Sequence, residues 1–174
     1  EALDMLEAKK FEHFVAPGLA WLINTSHHAS QWGLTPEVTK KMGYHRELDA
    51  ALDSMQKMRK RGIRILPGGD YGFAWTPHGT NAKDLEYFVK YVGMSNMEAL
   101  LSATAWGGPM MRMGKVLGYI REGYLADILL VDGDPLTDIT VLQDKSRILA
   151  VMKDGEFHRA PPLRSQRSHT RWAA

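Results

Sequence analysis

Apolar and polar positions change period repeatedly along the chain, and each change predicts an element. In residues 1–12, Ala2, Leu3, Met5, Leu6 and Ala8 are interspersed with Asp4, Glu7, Lys9 and Lys10, which predicts the end of an amphipathic helix. Phe14-Val15-Ala16 is a short apolar run closed by Pro17-Gly18, the pattern of a buried strand and its exit loop. A second run, residues 19–24, extends that loop or opens another short element. Thr35-Pro36-Glu37-Val38 predicts a helix start with Thr35 as cap, and residues 46–61 predict a longer helix stopped by Gly62. Residues 63–66 read as a strand ended by Pro67-Gly68-Gly69-Asp70. The next helix is expected over residues 82–91, with Asn81 as cap, Asp84 three residues on and Gly93 closing it. Ser95-Asn96-Met97-Glu98 has the capping-box form and opens a helix through Ala105.

Strand and helix therefore alternate over residues 13–105, which predicts two βα units with parallel strands. After Gly118 the pattern changes to short apolar runs punctuated by Asp-Gly: Ile128-Leu129-Leu130-Val131 before Asp132-Gly133, and Ile148-Leu149-Ala150-Val151 ahead of Asp154-Gly155. These predict short strands with tight turns in an all-β appendage. From Ala160, Pro161-Pro162 with Arg, Ser and Gln predicts a disordered or surface-lying tail.

With 174 residues, 44% hydrophobic and 24% charged, the chain has enough apolar material for one domain with an appended lobe. Its net charge of +2 balances 22 basic against 20 acidic side chains and implies no nucleic-acid partner. Cysteine is absent, which excludes disulfides, thiol nucleophiles and Cys-ligated zinc, so any metal must be held by His, Asp, Glu or a modified side chain. Apolar stretches such as residues 14–24 fall short of the roughly 20 residues of a membrane span, and no basic-then-apolar leader opens the chain. A soluble, cytoplasmic protein is the expectation. Glu1 stands directly in a helical pattern, so the chain is expected to begin inside a larger structure.

Several segments carry a resemblance. Ile63-Arg64-Ile65-Leu66-Pro67-Gly68-Gly69-Asp70, Pro77-His78-Gly79, Met97-Glu98-Ala99-Leu100 through Ala103-Thr104, and above all the stretch from Leu117-Gly118-Tyr119 through Leu125-Ala126-Asp127 to Asp132-Gly133-Asp134-Pro135 resemble the C-terminal part of the amidohydrolase superfamily. The likeness lies in the branch of imidazolonepropionase-like and Xaa-Pro dipeptidase-like hydrolases and spans about residues 1–158. It implies an α/β fold: the C-terminal part of a (β/α)8 TIM barrel, about strands seven and eight, in residues 1–115. The C-terminal strands of a small β-sandwich would follow in residues 116–159, and a tail in 160–174. A closed barrel needs on the order of 250 residues. The family's first-strand His-x-His, its bridging carboxylated Lys or Glu and the histidines of strands five and six have no counterpart here. They are expected upstream of Glu1, in a missing segment or on a separate chain. Gly69 stands where the family usually has Thr or Ser.

The resemblance assigns Asp70 as catalytic residue and metal ligand, taking a proton from a water bound to a divalent metal, with one or two zinc ions expected. The plain alternative is a turn aspartate capping its own backbone. His78 would hydrogen-bond substrate or orient Asp70, or be an ordinary loop histidine. His27 and His28 would face the same mouth, but adjacent residues on an extended chain point apart, so at most one is expected to contribute. Trp21, Trp32, Trp75 and Trp106 are candidates for the lining of a substrate pocket, with Trp75 the best placed and packing the default for all.

Other features have simpler readings. His13, His45, His158 and His169 have no supporting pattern. Gly68-Gly69 lacks the spacing of a phosphate loop and suits close backbone approach. Met55, Met58, Met110, Met111 and Met113 suit core filling, Asp127 and Asp132 suit turns, and Arg164, Arg167 and Arg171 suit a solvated end. The function expected is hydrolysis of an amide, cyclic amide or peptide-like C–N bond in a small-molecule or peptide-like substrate by a homo-oligomer, with these 174 residues inactive alone. The alternative is a non-catalytic fragment or degenerate homologue acting as a structural or binding module.

Overall fold

The computed structural model describes residues 1–161; the predicted tail from residue 162 on, with Arg164, Arg167, His169 and Arg171, lies outside the described residues. Helix α1 (Ala2–Ala8) leads to Val15, which pairs in parallel with Ile65 as an isolated bridge. Val15 N–H donates to the Arg64 carbonyl at 3.0 Å and Leu66 N–H to the Val15 carbonyl at 2.8 Å. Both predicted strands are thus present as a single parallel contact, each segment being stopped by the proline that follows it, Pro17 or Pro67.

Residues 19–24 begin another element and do not extend the loop. They open a nine-residue helix, α2 (Leu19–His27), which buries Leu19, Ala20, Ile23, Thr25 and Ser26. His27 is its last residue and His28 its C-cap, so neither stands on the extended chain expected. Helix α3 (Pro36–Met42) has Thr35 as the predicted cap, and Gly43, at φ 93°, both ends α3 and starts α4 (Tyr44–Lys60).

The helix expected over 82–91 is α5 (Lys83–Tyr87) continued by a π turn, Phe88–Val92. Asn81 is not its cap: its side chain accepts the Gly79 N–H instead, at 3.3 Å, and α5 starts without a side-chain cap. Gly93 ends the turn in the left-handed region as expected. The capping box forms as read, with Ser95 Oγ accepting from Glu98 N–H at 3.2 Å and Glu98 Oε2 accepting from Ser95 N–H at 2.7 Å. Helix α6 (Asn96–Ala103) stops short of Ala105, and an unforeseen short helix, α7 (Gly107–Met110), follows. Met55 is core, but Met110, on this last helix, and Met111, its C-cap, are exposed.

Beyond residue 118 the appendage is less regular than an all-β reading allows. Residues 118–127 form turns and irregular chain. Strands β1 (Ile128–Val131), β2 (Ile148–Lys153) and β3 (Glu156–Arg159) make an antiparallel sheet in that order, interrupted by a 3-10 turn, Ile139–Gln143, that buries Ile139 and Val141. Ile139 joins the main core of Leu19, Ile23, Leu48, Met55, Ile65, Leu85, Phe88 and Met94.

The β2–β3 hairpin turns on Asp154 and Gly155, both at positive φ (51° and 81°), the conformation that matches strand twist. Asp127 Oδ1 accepts the Asp154 N–H at 2.7 Å, so its carboxylate holds the β2–β3 turn, and Asp132 stands in the bend after β1, where its backbone N–H donates to the Arg147 carbonyl at 2.7 Å. A Cβ at Gly155 would meet nothing within 4 Å. Gly155→Ala therefore isolates the conformational cost, and urea unfolding should show a loss of about 1 kcal/mol. A neutral or stabilising result would contradict this turn geometry.

Candidate active site

Two prolines release the chain from the parallel bridge, and the loops they start meet each other. A Cβ on Gly68 would lie 3.1 Å from the Ala16 Cβ, and one on Gly69 would lie 2.6 Å from the Tyr71 ring. Both glycines are thus required for close approach, of Gly68 to the neighbouring segment and of Gly69 to the ring above it, as their sequence context suggested.

Asp70 follows at φ 53°, a left-handed conformation that aspartate tolerates better than most residues. It is exposed. Its carbonyl accepts the Thr76 hydroxyl at 3.2 Å, and Gly72 N–H donates to the Thr76 carbonyl at 2.9 Å, which closes residues 70–76 into a compact turn. Among the described residues its carboxylate takes no hydrogen bond, so it is not a turn aspartate satisfying its own backbone. Across the mouth stands Gly18, where an added Cβ would be 3.9 Å from the Asp70 Cβ. His78 is exposed with its ring against the same turn, Nε2 being 3.4 Å from where a Gly72 Cβ would stand.

The other predicted residues separate from this pair. Helix α2 begins beside Asp70, and nine residues at 1.5 Å each carry its far end about 13 Å away. There His27 packs edge-on to His45, with ring centroids 5.2 Å apart, and His45 Nε2 lies 3.1 Å from the Thr39 hydroxyl. Burial, then the charges of His45 and His28, lower the His27 pKa, with Asp49 opposing. Trp75 is held firmly: its indole N–H donates to Thr25 Oγ1 at 2.9 Å, its carbonyl accepts from Asn24 Nδ2 at 2.9 Å, and its ring stacks on Phe73 at 5.5 Å. Asn24 Oδ1 in turn accepts the Tyr87 hydroxyl at 2.7 Å. Burial, then the charge of Glu86, pushes that hydroxyl up to about 12.

An open cavity of about 550 Å³ lies beside this chain of bonds, lined by Asn24, His28, Trp75, Thr80, Tyr87 and Lys145 among others. It includes His28 and Trp75 but not Asp70, His78 or His27. The structure thus resolves the predicted set into an Asp70–His78 turn, a His28–Trp75 cavity and a His27–His45 contact.

Asp84 is the residue that sequence reading missed. Read as a capping partner, it is instead buried, with Oδ2 accepting the Gly68 N–H at 3.1 Å and Oδ1 lacking a hydrogen-bond partner. Its neighbours on the same helical face, Tyr87 and Phe88, are buried, and an acid three and four residues ahead of two buried aromatics was the available signal. Burial raises its pKa from 3.8 to about 6 against the pull of the Gly68 amide, the Tyr71 hydroxyl and the Ala20 amide. Burial, then the Asp84 charge, raises Tyr71 as well.

The linkage has a definite sign. Between pH 3.8 and about 6 the folded state binds more protons than the unfolded one, so the stability this group contributes is complete below 3.8 and is lost as pH rises through 6. The loss is about 3 kcal/mol at 1.36 kcal/mol per pH unit. Asp84→Asn should remove that slope, and the check is the stability difference between variant and parent from urea unfolding at pH 4 and pH 7. Equal differences at the two pH values would contradict it.

Among the described residues no three His, Asp or Glu side chains stand close enough to hold a metal. What Asp70 offers is a single free carboxylate, suited to be one ligand of a set and insufficient alone, since a catalytic zinc usually takes three protein ligands. No helix among the described residues is long and apolar enough to cross a membrane.

Residues 27–157 match the model of the amidohydrolase family. Ochratoxinase of Aspergillus niger is 33% identical over 117 residues, covering 66% of this chain and 23% of that one. A Xaa-Pro dipeptidase solved with methionine in its active site superposes with a TM-score of 0.74 at 28% identity, over 91% of this chain and 37% of its own. The crystal structure of the A. niger ochratoxinase gives 0.71 at 25% identity, over 90% and 34%. The chain thus spans about a quarter of the curated ochratoxinase and little more than a third of the solved dipeptidase. With three quarters of its residues matched by the family model, from the end of α2 to the β2–β3 hairpin, the chain belongs to the amidohydrolase family.

Proposed function

We propose that the protein carrying this chain hydrolyses an amide-type C–N bond and that Asp70 is the chain's contribution to the reacting centre. The observation that carries the reading is the Asp70 turn: a free carboxylate at φ 53°, in a turn whose Asp70 carbonyl accepts the Thr76 hydroxyl, at the exit of the second of two parallel-bridged segments. Active sites of (β/α)8 barrels are built at that end of their strands. Segments 14–16 and 63–66 correspond in this reading to barrel strands seven and eight, with residues 128–159 part of the accompanying sandwich. The remaining ligands come from beyond the described residues, either upstream in the same polypeptide or on another chain.

A divalent metal, with zinc the first choice, would supply a water of lowered pKa. Asp70 accepts a proton from the attacking water on a carboxylate oxygen and returns it to the departing nitrogen. His78, whose ring lies against the same turn, donates a hydrogen bond to the substrate carbonyl region. Trp75, with His28, forms the wall that receives the outer part of the substrate, and His27 has no part in it.

The names of the relatives, Xaa-Pro dipeptidase and ochratoxinase, support a peptide-like amide as substrate. The test is hydrolysis of a panel of dipeptides, Xaa-Pro included, and N-acyl amino acids by the natural full-length protein loaded with zinc. Release of free amino acid supports the reading, and inertness across the panel would favour a binding module. Residues 1–174 alone should show no turnover; measurable turnover would refute the shared-site arrangement.

A further inference from the structure

The residue best placed to hold Asp70 lies beneath it, on another element. We infer that Asp84 is a positioning residue: its buried carboxylate holds the exit of the second bridged segment at Gly68 and so fixes the turn from which Asp70 projects. The inference rests on the proposed role of Asp70 for its catalytic consequence, but not for its structural content.

Two arrangements around Asp70 support it. Asp84 Oδ2 takes the N–H of Gly68, two residues before Asp70, at 3.1 Å. The Tyr71 ring meanwhile covers Gly69, leaving no room for a Cβ there, and its hydroxyl donates to the Asn81 carbonyl at 3.2 Å, just ahead of α5. Asp70 is thus bracketed: Gly68 is held from below, Gly69 from above, and Tyr71 is anchored back to the start of the helix that carries Asp84.

An ionisable side chain so fully buried is costly unless a specific contact requires it. Hydrophobic packing of α5 needs none, since Leu85, Tyr87 and Phe88 already supply the buried surface. The geometry therefore assigns the carboxylate to the backbone it grips.

The test compares two variants in the natural full-length protein. Asp84→Asn keeps an acceptor for Gly68 N–H, and Asp84→Leu keeps bulk without one. Hydrogen–deuterium exchange is read on peptides covering residues 67–72 and, as control, residues 44–60. In Asp84→Leu the 67–72 peptide should exchange at least about tenfold faster than in the parent, with the control unchanged, and Asp84→Asn should restore slow exchange. Exchange in 67–72 that is unaltered in Asp84→Leu, or accelerated equally in the control, overturns the inference, because the second pattern is a global loss of stability. Asp84→Leu should also lower kcat for amide hydrolysis with little change in KM, and Asp84→Asn should recover most of it. If the parent hydrolyses no amide, the reading of Asp70 fails, while the exchange result still decides the role of Asp84.

Discussion

Asp70→Asn should lower kcat/KM of the natural protein for its amide substrate by roughly 10³-fold, within the 10²–10⁴ range that a positioned general base contributes. The substitution is unusually clean. Asparagine is nearly isosteric and tolerates the left-handed region as well as aspartate does, so φ 53° at this position remains comfortable. The turn around it is closed by backbone atoms and the Thr76 hydroxyl, none of which the change touches. Stability and far-UV spectrum should therefore match the parent while turnover is lost. A variant that keeps more than about a tenth of the parent's kcat/KM would remove Asp70 from the reaction, since even the low end of that range is 10²-fold.

The largest effect on stability is expected at Phe88. It is fully buried where α5 passes into the π turn, and its carbonyl accepts the Met94 N–H at 3.1 Å. It packs in the core shared by α2, α4 and the Ile139–Gln143 turn. Phe88→Ala should cost about 3–5 kcal/mol, from lost transfer free energy plus the cavity left behind. Urea unfolding measures it directly, and a cost below about 1 kcal/mol would mean that this core is not packed as described.

Signals that act over a few residues were readable in the sequence. Thr35 before Pro36, Ser95 with Glu98, Gly93 after the π turn and Asp154-Gly155 each set a local backbone geometry, and each does so in the structure. Gly68-Gly69 was readable too, because close approach is what two glycines at a strand exit permit.

What escaped depends on distant neighbours. Asn24, Thr25 and Ser26 look like loop residues, yet they sit in a helix because Thr25 and Ser26 are buried and Asn24 bridges Trp75 to Tyr87, residues 51 and 63 positions further on. The same distance hid the cavity, where Lys145 from the sheet region meets Thr80 and His28. Burial of Asp84 was hidden for a related reason. Local pattern offers a cap for any acid near a helix start, and only the Gly68 amide, 16 residues away, shows what this one holds. The sequence places His27 and His28 on an extended chain with at most one facing the mouth, whereas they stand at the end of α2. The helix separates their environments, turning one ring to His45 and placing the other in the cavity with Trp75.

Asp70 is proposed to supply one carboxylate to a metal-assisted hydrolytic centre whose other ligands lie elsewhere. Metal content of the purified full-length protein, compared between parent and Asp70→Asn by elemental mass spectrometry, tests it most directly. The parent should hold one or two equivalents of a divalent metal and the variant clearly less, because a neutral amide is a much poorer ligand than a carboxylate. Equal metal content in the two proteins, or a parent that hydrolyses amides with no divalent metal bound, would contradict it.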